Sequence, residues 1–548
     1  MIAVTWLSYA PMRDGVRLAF RLYRPDSAGP LPVLLTMTPY GIDRNHDTAM
    51  AFARGGHAVA VADCRGRGES EGDFDPSFCD AADGFDMVEW LAAQPFCDGR
   101  VAMWGGSYQG ENQWATAAAH PPHLAAIAPA AATHMPADTP WRGPQRMPYM
   151  LLWLMLVSGR GTDFNLFAET ALWDEAFRRH FDSGARFRDL PRSLGKGSRW
   201  FDLYLDHPAH DPFWQRLAIA PETWAALDLP VLSVTGLYDN AQTGALSYLA
   251  QHEAHGRPGA VARHVAVIGP WDHGGTRSGS AVASGVDFGP GGALDITALT
   301  LGFFDWVFGR ADRPAFLASR VTWFETGSGQ WRGADSLADI GLQRLPLPLA
   351  TMTGGEAPRR NWLSDPRLPQ GDPARAPFPE AITEPAPPDG LTWTTAPQDA
   401  PLHLAGRPRV TLWLSTDLPD ADLELILAEV GPDGEVLILG EDRQRLRYRT
   451  TAMAEVFDHT APVRVTFDGF AFLARRLQAG RHLRLTLRTL CSIHFQRNFQ
   501  GGGAVDDETA AQGRAGRIIV HHDADHASTL DLPLAQPPAP PPVVPEAP

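Results

Sequence analysis

The chain has 548 residues, of which 44% are hydrophobic and 20% charged, the balance of a folded globular protein with room for several cores. Acidic residues outnumber basic ones by 63 to 47, a net charge of −16 without any run of like charge, which disfavours nucleic acid and anionic membrane surfaces as partners. Lys196 is the only lysine, and Gly195-Lys196-Gly197-Ser198 lacks the upstream glycine and following Ser/Thr of a phosphate-binding loop, which argues against nucleotide hydrolysis and Schiff-base chemistry.

Residues 1–14 carry no basic stretch followed by an apolar one, and no apolar run approaches ~18 residues, so a cytoplasmic location without a membrane span is expected. Residues 16–23 (VRLAFRLY) alternate as a half-buried strand does. Residues 31–38 (LPVLLTMT) form the solid apolar run of a buried parallel strand and end at Pro39-Tyr40-Gly41. The same signature recurs at 57–63, 100–104, 230–235 and 264–268, with helix-like stretches at 82–94 and 109–120. This alternation predicts an α/β fold with a doubly wound parallel sheet. Asp73, Asp75, Asp80, Asp83 and Asp86 lack the glycine and spacing of a calcium loop and read as a helix N-terminus with a solvated turn. Cys64, Cys79, Cys97 and Cys491 are far apart and read as buried or idle thiols.

Between about 135 and 228 the strand-like runs stop and Trp and Met become frequent, which predicts a helical insertion over the carboxyl ends of the strands, where α/β proteins place ligands. From 312 the pattern turns to short alternating strands at 409–416, 422–430, 436–439, 463–470, 482–489 and 517–521, read as a β-sandwich or jelly roll. The proline-rich stretch 345–395 reads as surface connections, and 536–548 (QPPAPPPVVPEAP) as an extended tail. The layout is thus a core at 1–134 and 229–311, a cap at 135–228, a β domain at 312–535 and the tail. His521-His522-Asp523 has metal-ligand residue types, but strand neighbours face opposite sides, so no metal is expected there.

The sharpest local signal is Val101-Ala102-Met103-Trp104-Gly105-Gly106-Ser107-Tyr108-Gln109-Gly110, a buried strand running into a glycine-flanked serine and then a helix. A serine at such a strained turn needs small neighbours, which Gly105, Gly106 and Gly110 supply. Gln109 stands where G-x-S-x-G has its second glycine, and alone the segment reads equally as a plain turn. Two residues shift that balance: Asp239 just past the run 230–235, and His273 just past 264–268. Ser107, Asp239 and His273 then follow the chain order of α/β hydrolases. A serine hydroxyl needs a histidine to take its proton, and a carboxylate must fix the imidazole's tautomer. Asp272 adjoins His273 but points away from its working face and ranks second. Tyr40, after the strand 31–38, sits where these folds draw part of an oxyanion hole, with the Tyr108 N–H as second donor.

The blocks Thr38-Pro39-Tyr40-Gly41, Asp63-Cys64-Arg65-Gly66-Arg67-Gly68-Glu69-Ser70-Glu71-Gly72, Asp83-Gly84-Phe85-Asp86, Glu89-Trp90-Leu91, Asp98-Gly99-Arg100-Val101, Gly105 to Gly110, Gly236 to Asp239, Gly269 to Gly274, Val410 to Asp417 and Asp420 to Leu423 run over most of the chain. On these it resembles the cocaine esterase and X-prolyl dipeptidyl peptidase group of serine hydrolases. The resemblance implies an α/β-hydrolase core, an inserted helical cap and a C-terminal jelly roll. It also implies that the serine of G-x-S-Y-x-G is the nucleophile and that Tyr40 and Tyr108 form the oxyanion hole. The substrate does not carry over, because members include esterases, α-amino ester hydrolases, β-lactam side-chain acylases and X-Pro peptidases.

The resulting expectation is a serine hydrolase acting without a cofactor on a small-molecule ester or amide, with Trp141 and Trp153 as candidate pocket walls and oligomeric state open, a homo-oligomer included. An X-Pro or α-amino-acyl hydrolase would instead grip an ammonium, with Asp138, Asp163 and Glu169 as the carboxylates on offer. A third reading, a non-catalytic ligand-binding protein using its jelly roll, is opposed by the complete Ser, Asp, His and Tyr set.

Overall fold

The apolar runs of the first half lie side by side in one ten-stranded sheet. Across it the order is Ile2–Pro11, Arg17–Pro25, Ala58–Asp63, Leu31–Thr38, Cys97–Gly106, Leu124–Ala130, Val231–Tyr238, His264–Asp272, Val321–Glu325 and Gln330–Ala334. The strands from Ala58–Asp63 to Val321–Glu325 run parallel, and antiparallel pairs close both edges. The computed structural model describes residues 1–26, 29–135, 137–138, 141–161, 168–195, 197–207, 211–368, 374, 383, 390–450, 455, 457 and 460–535, with the backbone alone at Trp141 and Arg142. Asp163, Lys196 and the proline tract 536–548 lie outside the described residues.

Solid apolar runs arise because both faces of the parallel strands are covered. Side chains alternate across a strand, so Val33, Leu35, Val101 and Met103 pack with Met87, Leu91 and Trp114 from the helices Asp80–Ala92 and Tyr108–Ala118. Their neighbours Leu34, Ala102 and Trp104 face the other way, onto Phe52, Phe303 and Phe304 from the helices His46–Arg54 and Ile296–Val307. This is the α/β-hydrolase architecture.

Between the strands Leu124–Ala130 and Val231–Tyr238 the chain forms the helical cap, including Tyr149–Leu156, Thr170–Ser183, Arg199–Asp206 and Pro221–Ala226, with a two-residue hairpin, Trp141–Arg142 with Gln145–Arg146. Most of its aromatics serve packing: Trp173, Trp214 and Trp224 are buried, and the Trp224 ring lies 5.4 Å from that of Trp114 in the core. Among the described residues no helix is long and apolar enough to cross a membrane.

The second half is a β-sandwich. Leu412 and Leu414 of the strand Arg409–Thr416 share one core with Leu423 and Leu425 of Asp422–Val430 and Leu485 and Leu487 of His482–Thr489, strands that belong to two different sheets. Two features differ from the sequence pattern. The first sheet runs past residue 311 because Val321–Glu325 pairs with His264–Asp272 and turns back into Gln330–Ala334. The stretch 345–395 is not all connection, since it contributes Arg359–Ser364, Leu391–Thr394 and most of Gln343–Pro348 to the sandwich. The sandwich clasps the first domain through Gln242, whose amide donates to the Phe472 carbonyl at 2.9 Å and accepts from the Phe472 N–H at 2.7 Å.

Gly236 sits opposite Gly269 where the strands Val231–Tyr238 and His264–Asp272 end. A Cβ there would run into the Trp271 carbonyl. Gly236→Ala is expected to lose ~1–3 kcal/mol by overpacking. A lowered urea midpoint at unchanged slope is the predicted result, and an unchanged midpoint would contradict this close approach.

Candidate active site

The strand Cys97–Gly106 passes directly into the helix Tyr108–Ala118, and Ser107 makes the turn with φ 62° and ψ −126°. A non-glycine residue in that region costs of order 1–3 kcal/mol and persists only where its surroundings fix it. Here the Ser107 N–H donates to the Ala130 carbonyl at 2.9 Å, and the Ser107 carbonyl accepts from Gly110 N and Glu111 N at 2.8 and 3.0 Å. Gly105, at φ 138°, has no room for a side chain between Gln109 Cβ and Thr36 Oγ1. Gly110 is the glycine that the helix presses against Ala130 and Ala132, which is why the second glycine falls at 110. Gln109 is instead a tether, its amide donating to Thr36 Oγ1 at 2.7 Å and Asn45 Oδ1 at 3.2 Å.

Asp239 lies just beyond the strand Val231–Tyr238 with its side chain fully buried. Its Oδ1 meets His273 Nδ1 at 2.8 Å and accepts from Ala241 N at 2.8 Å, and its Oδ2 accepts from Thr235 Oγ1 at 2.8 Å. Burial pushes this carboxyl up, but the His273 hydrogen bond and charge, with the Ala241 and Thr235 donors, outweigh it and hold the group below its ordinary value. Asp272 is otherwise engaged: its Oδ1 accepts from Gly275 N at 2.8 Å. An ionised carboxylate at Nδ1 accepts a hydrogen bond from the ring N–H there, holding the proton on Nδ1, and leaves Nε2 as the basic nitrogen.

Ser107 and His273 line one cavity of about 450 Å³ with Tyr40, Asn45, Gln109 and Tyr149. The Tyr40 hydroxyl accepts from Trp153 Nε1 at 3.1 Å and hydrogen-bonds Ser107. Burial pushes the Tyr40 phenol up, only partly offset by those bonds and the nearby Arg277 charge, so it stays a protonated donor. Tyr108 opens its helix, so its N–H has no intrahelical acceptor. Its side chain turns away from the cavity, with the hydroxyl accepting from Ser77 N at 2.8 Å.

Other expected residues fall elsewhere. Trp153 is buried and stacks on Tyr108 at 5.5 Å, so it positions Tyr40 and is not among the residues lining the cavity. Trp141 lies in the short hairpin, and its side chain is outside the described residues. Asp138 is buried, accepting from His134 N and Gly244 N at 2.9 Å each, Glu169 is the N-cap residue of the helix Thr170–Ser183, and neither lines the cavity. His521 pairs with Ser415 Oγ at 2.8 Å. The acidic turn is not solvated throughout: Asp83 is buried against Arg65 at 2.9 Å, and Asp80 is buried beside Tyr108. The cavity residues missed in the sequence include Arg44, Asn45, Tyr149, Asn240 and Arg277; Arg44 and Arg277 each lie four positions past an expected site residue, a spacing that offered a signal.

Comparison with known proteins gives consistent matches. The X-Pro dipeptidyl-peptidase (S15 family) profile matches residues 14–275, and the X-Pro dipeptidyl-peptidase C-terminal non-catalytic domain matches 318–531. Cocaine esterase of Rhodococcus sp. (strain MB1 Bresler) is 28% identical, with 96% of this chain and 97% of the relative aligned. Among solved structures, an aminopeptidase from a marine sediment Thaumarchaeota archaeon superposes with a TM-score of 0.83 at 23% identity, over 97% of this chain and 96% of that one. An α-amino acid ester hydrolase gives a TM-score of 0.82 at 22% identity, with coverages of 97% and 96%. At those identities the two structures speak to the fold alone.

Burial, against a hydrogen bond from Tyr108, pushes the Asp80 carboxyl up to about 8, and its Oδ2 has no partner among the described residues. Its folded value therefore lies above the ordinary ~3.9 of an unfolded aspartate, so its contribution to stability is complete below pH ~4 and is lost as pH rises through about 8. Asp80→Asn, which cannot ionise, should gain stability relative to wild type between pH 5 and 8. Urea unfolding curves that shift in parallel over that range would contradict a protonated Asp80.

Proposed function

Because the chain belongs to the cocaine esterase and X-Pro dipeptidyl-peptidase family of serine hydrolases, we propose that it hydrolyses a carboxylic ester of a small molecule through an acyl-enzyme on Ser107. The observation that carries this reading is the 2.8 Å bond from His273 Nδ1 to the buried Asp239, in a cavity shared with the serine at its strained turn. Ser107 Oγ attacks the carbonyl carbon while its proton passes to His273 Nε2. The Tyr40 hydroxyl and the Tyr108 N–H hold the oxygen that becomes negative. Trp153 Nε1 occupies a lone pair of the Tyr40 oxygen and so directs its hydrogen away from the cap. Collapse breaks the bond to the alcohol oxygen, which takes the proton from His273. Water, deprotonated by the same ring, then attacks the acyl-Ser107 and releases the acid.

An ester is favoured over an N-terminal peptide because gripping an ammonium needs a carboxylate facing the serine, and the described cavity lining contains none. A cytoplasmic setting fits four cysteines that form no disulfide.

Ser107→Ala should abolish turnover of p-nitrophenyl butyrate, and Tyr40→Phe should lower kcat roughly 10²–10³-fold with KM little changed, the cost of one oxyanion donor. Alanyl-proline p-nitroanilide should be a much poorer substrate than the ester. Full activity in Tyr40→Phe would remove it from the oxyanion hole, and faster anilide cleavage would replace the esterase by a peptidase.

A further inference from the structure

The cavity that holds Ser107 is lined by two arginines, Arg44 and Arg277, and by no carboxylate among its described residues. In a chain where most arginines are paired, such as Arg65 with Asp14 and Asp83 or Arg445 with Asp422, neither of these has an ion pair with any described residue. Both are exposed, so neither is needed to satisfy a buried charge. They reach the cavity from two different elements. Arg44 belongs to the 3₁₀ turn Ile42–Asn45 that follows Tyr40, while Arg277 sits on the short helix Gly275–Ser278 that follows His273.

Arg277 lies close to the nucleophile. A Cβ added to Gly106, the residue before Ser107, would stand 3.0 Å from Arg277 Nη1, and the Arg277 charge is felt at the Tyr40 hydroxyl. Arg277 is thus packed beside the nucleophile's turn while also lining the cavity. The other polar side chains on its wall, Thr38, Asn45, Gln109, Tyr149 and Asn240, carry no negative charge. Two positive forks with no internal anion among the described residues, in the cavity that holds Ser107, form a receptor for a planar anion, because guanidinium geometry matches a carboxylate two bonds at a time.

We propose that the preferred substrates are esters bearing a free carboxylate, held by Arg44 and Arg277 while Ser107 attacks the ester carbonyl. This rests on the esterase reading above and deepens it. The anion would come from the acyl part, as in a dicarboxylic acid hemiester, or from the alcohol part, as in an ester of a hydroxybenzoate. Both present the same group to the same arginines. The chemistry also places the enzyme in a reaction sequence: it would consume monoesters of diacids or acylated hydroxy acids and release products of higher negative charge.

The test measures kcat/KM for two matched pairs: p-nitrophenyl hemisuccinate against its methyl ester, and 4-carboxyphenyl butyrate against 4-(methoxycarbonyl)phenyl butyrate. Wild type should prefer the carboxylate in at least one pair by roughly tenfold or more, mainly through KM, and raising the salt concentration should narrow the ratio. The pair that shows the preference identifies the acyl or the alcohol side. In Arg44→Gln, Arg277→Gln and the double variant that ratio should fall toward one, with fluorophosphonate labelling of Ser107 reporting an intact nucleophile. Equal or faster turnover of both methyl esters by wild type would overturn the proposal, as would a preference that survives the double substitution. Neither result touches the esterase reading, which fails if no ester is turned over or if the anilide is cleaved faster than the ester.

Discussion

A carboxylate with no access to solvent stands at the end of the strand Val231–Tyr238, and the geometry around the cavity follows from satisfying it. Burying an aspartate is costly unless donors surround it. Asp239 gathers three, from Thr235 on its own strand, Ala241 at the start of the next helix and His273 on the neighbouring strand's extension. The third bond sets the ring's tautomer and therefore which nitrogen is left for chemistry. It also requires two strand ends to lie close together, which the glycines at 236 and 269 permit.

The remaining parts of the fold hold that arrangement from outside. Gln242, one helical step past Asp239, is locked to the backbone of Phe472, so the β-sandwich stabilises the loop that carries the acid. The cap contributes Trp153, whose N–H fixes the Tyr40 hydroxyl and whose ring lies against Tyr108. Behind Tyr108 the interior stays polar: Glu111 bridges Ser77 Oγ and Thr133 Oγ1 at 2.6 Å each, joining the serine's helix to the loops on either side. The strain at Ser107 is thus held by backbone bonds beneath it and by a layer of side chains around it.

Much of this was legible in the sequence wherever burial leaves a mark on composition. Leu31–Thr38 is largely apolar because both its faces are covered, and Arg409–Thr416, Asp422–Val430 and His482–Thr489 read as strands from their alternation of apolar and polar residues, although in the last two the polar side chains other than His482 are buried as well. Strands without that mark escaped. Ile2–Pro11 is an edge with half its residues exposed and only one buried, and Leu124–Ala130 is rich in alanine, which has little preference for strands. Val321–Glu325 lay in a region whose pattern pointed to the sandwich, yet its partner is His264–Asp272. At the site, the nucleophile, acid and base were legible because each follows an apolar run. The cavity wall was not, since Arg44, Tyr149 and Arg277 come from three separate segments whose meeting is a matter of tertiary structure.

The central claim is that the Asp239 and His273 pair activates Ser107. Intact-protein mass after reaction with a fluorophosphonate tests it most directly, comparing wild type with Ser107→Ala and Asp239→Asn. The account predicts a single adduct on wild type, none on Ser107→Ala and strongly slowed labelling of Asp239→Asn, whose amide would favour the wrong tautomer. An adduct that persists in Ser107→Ala, or forms at the wild-type rate in Asp239→Asn, would contradict it.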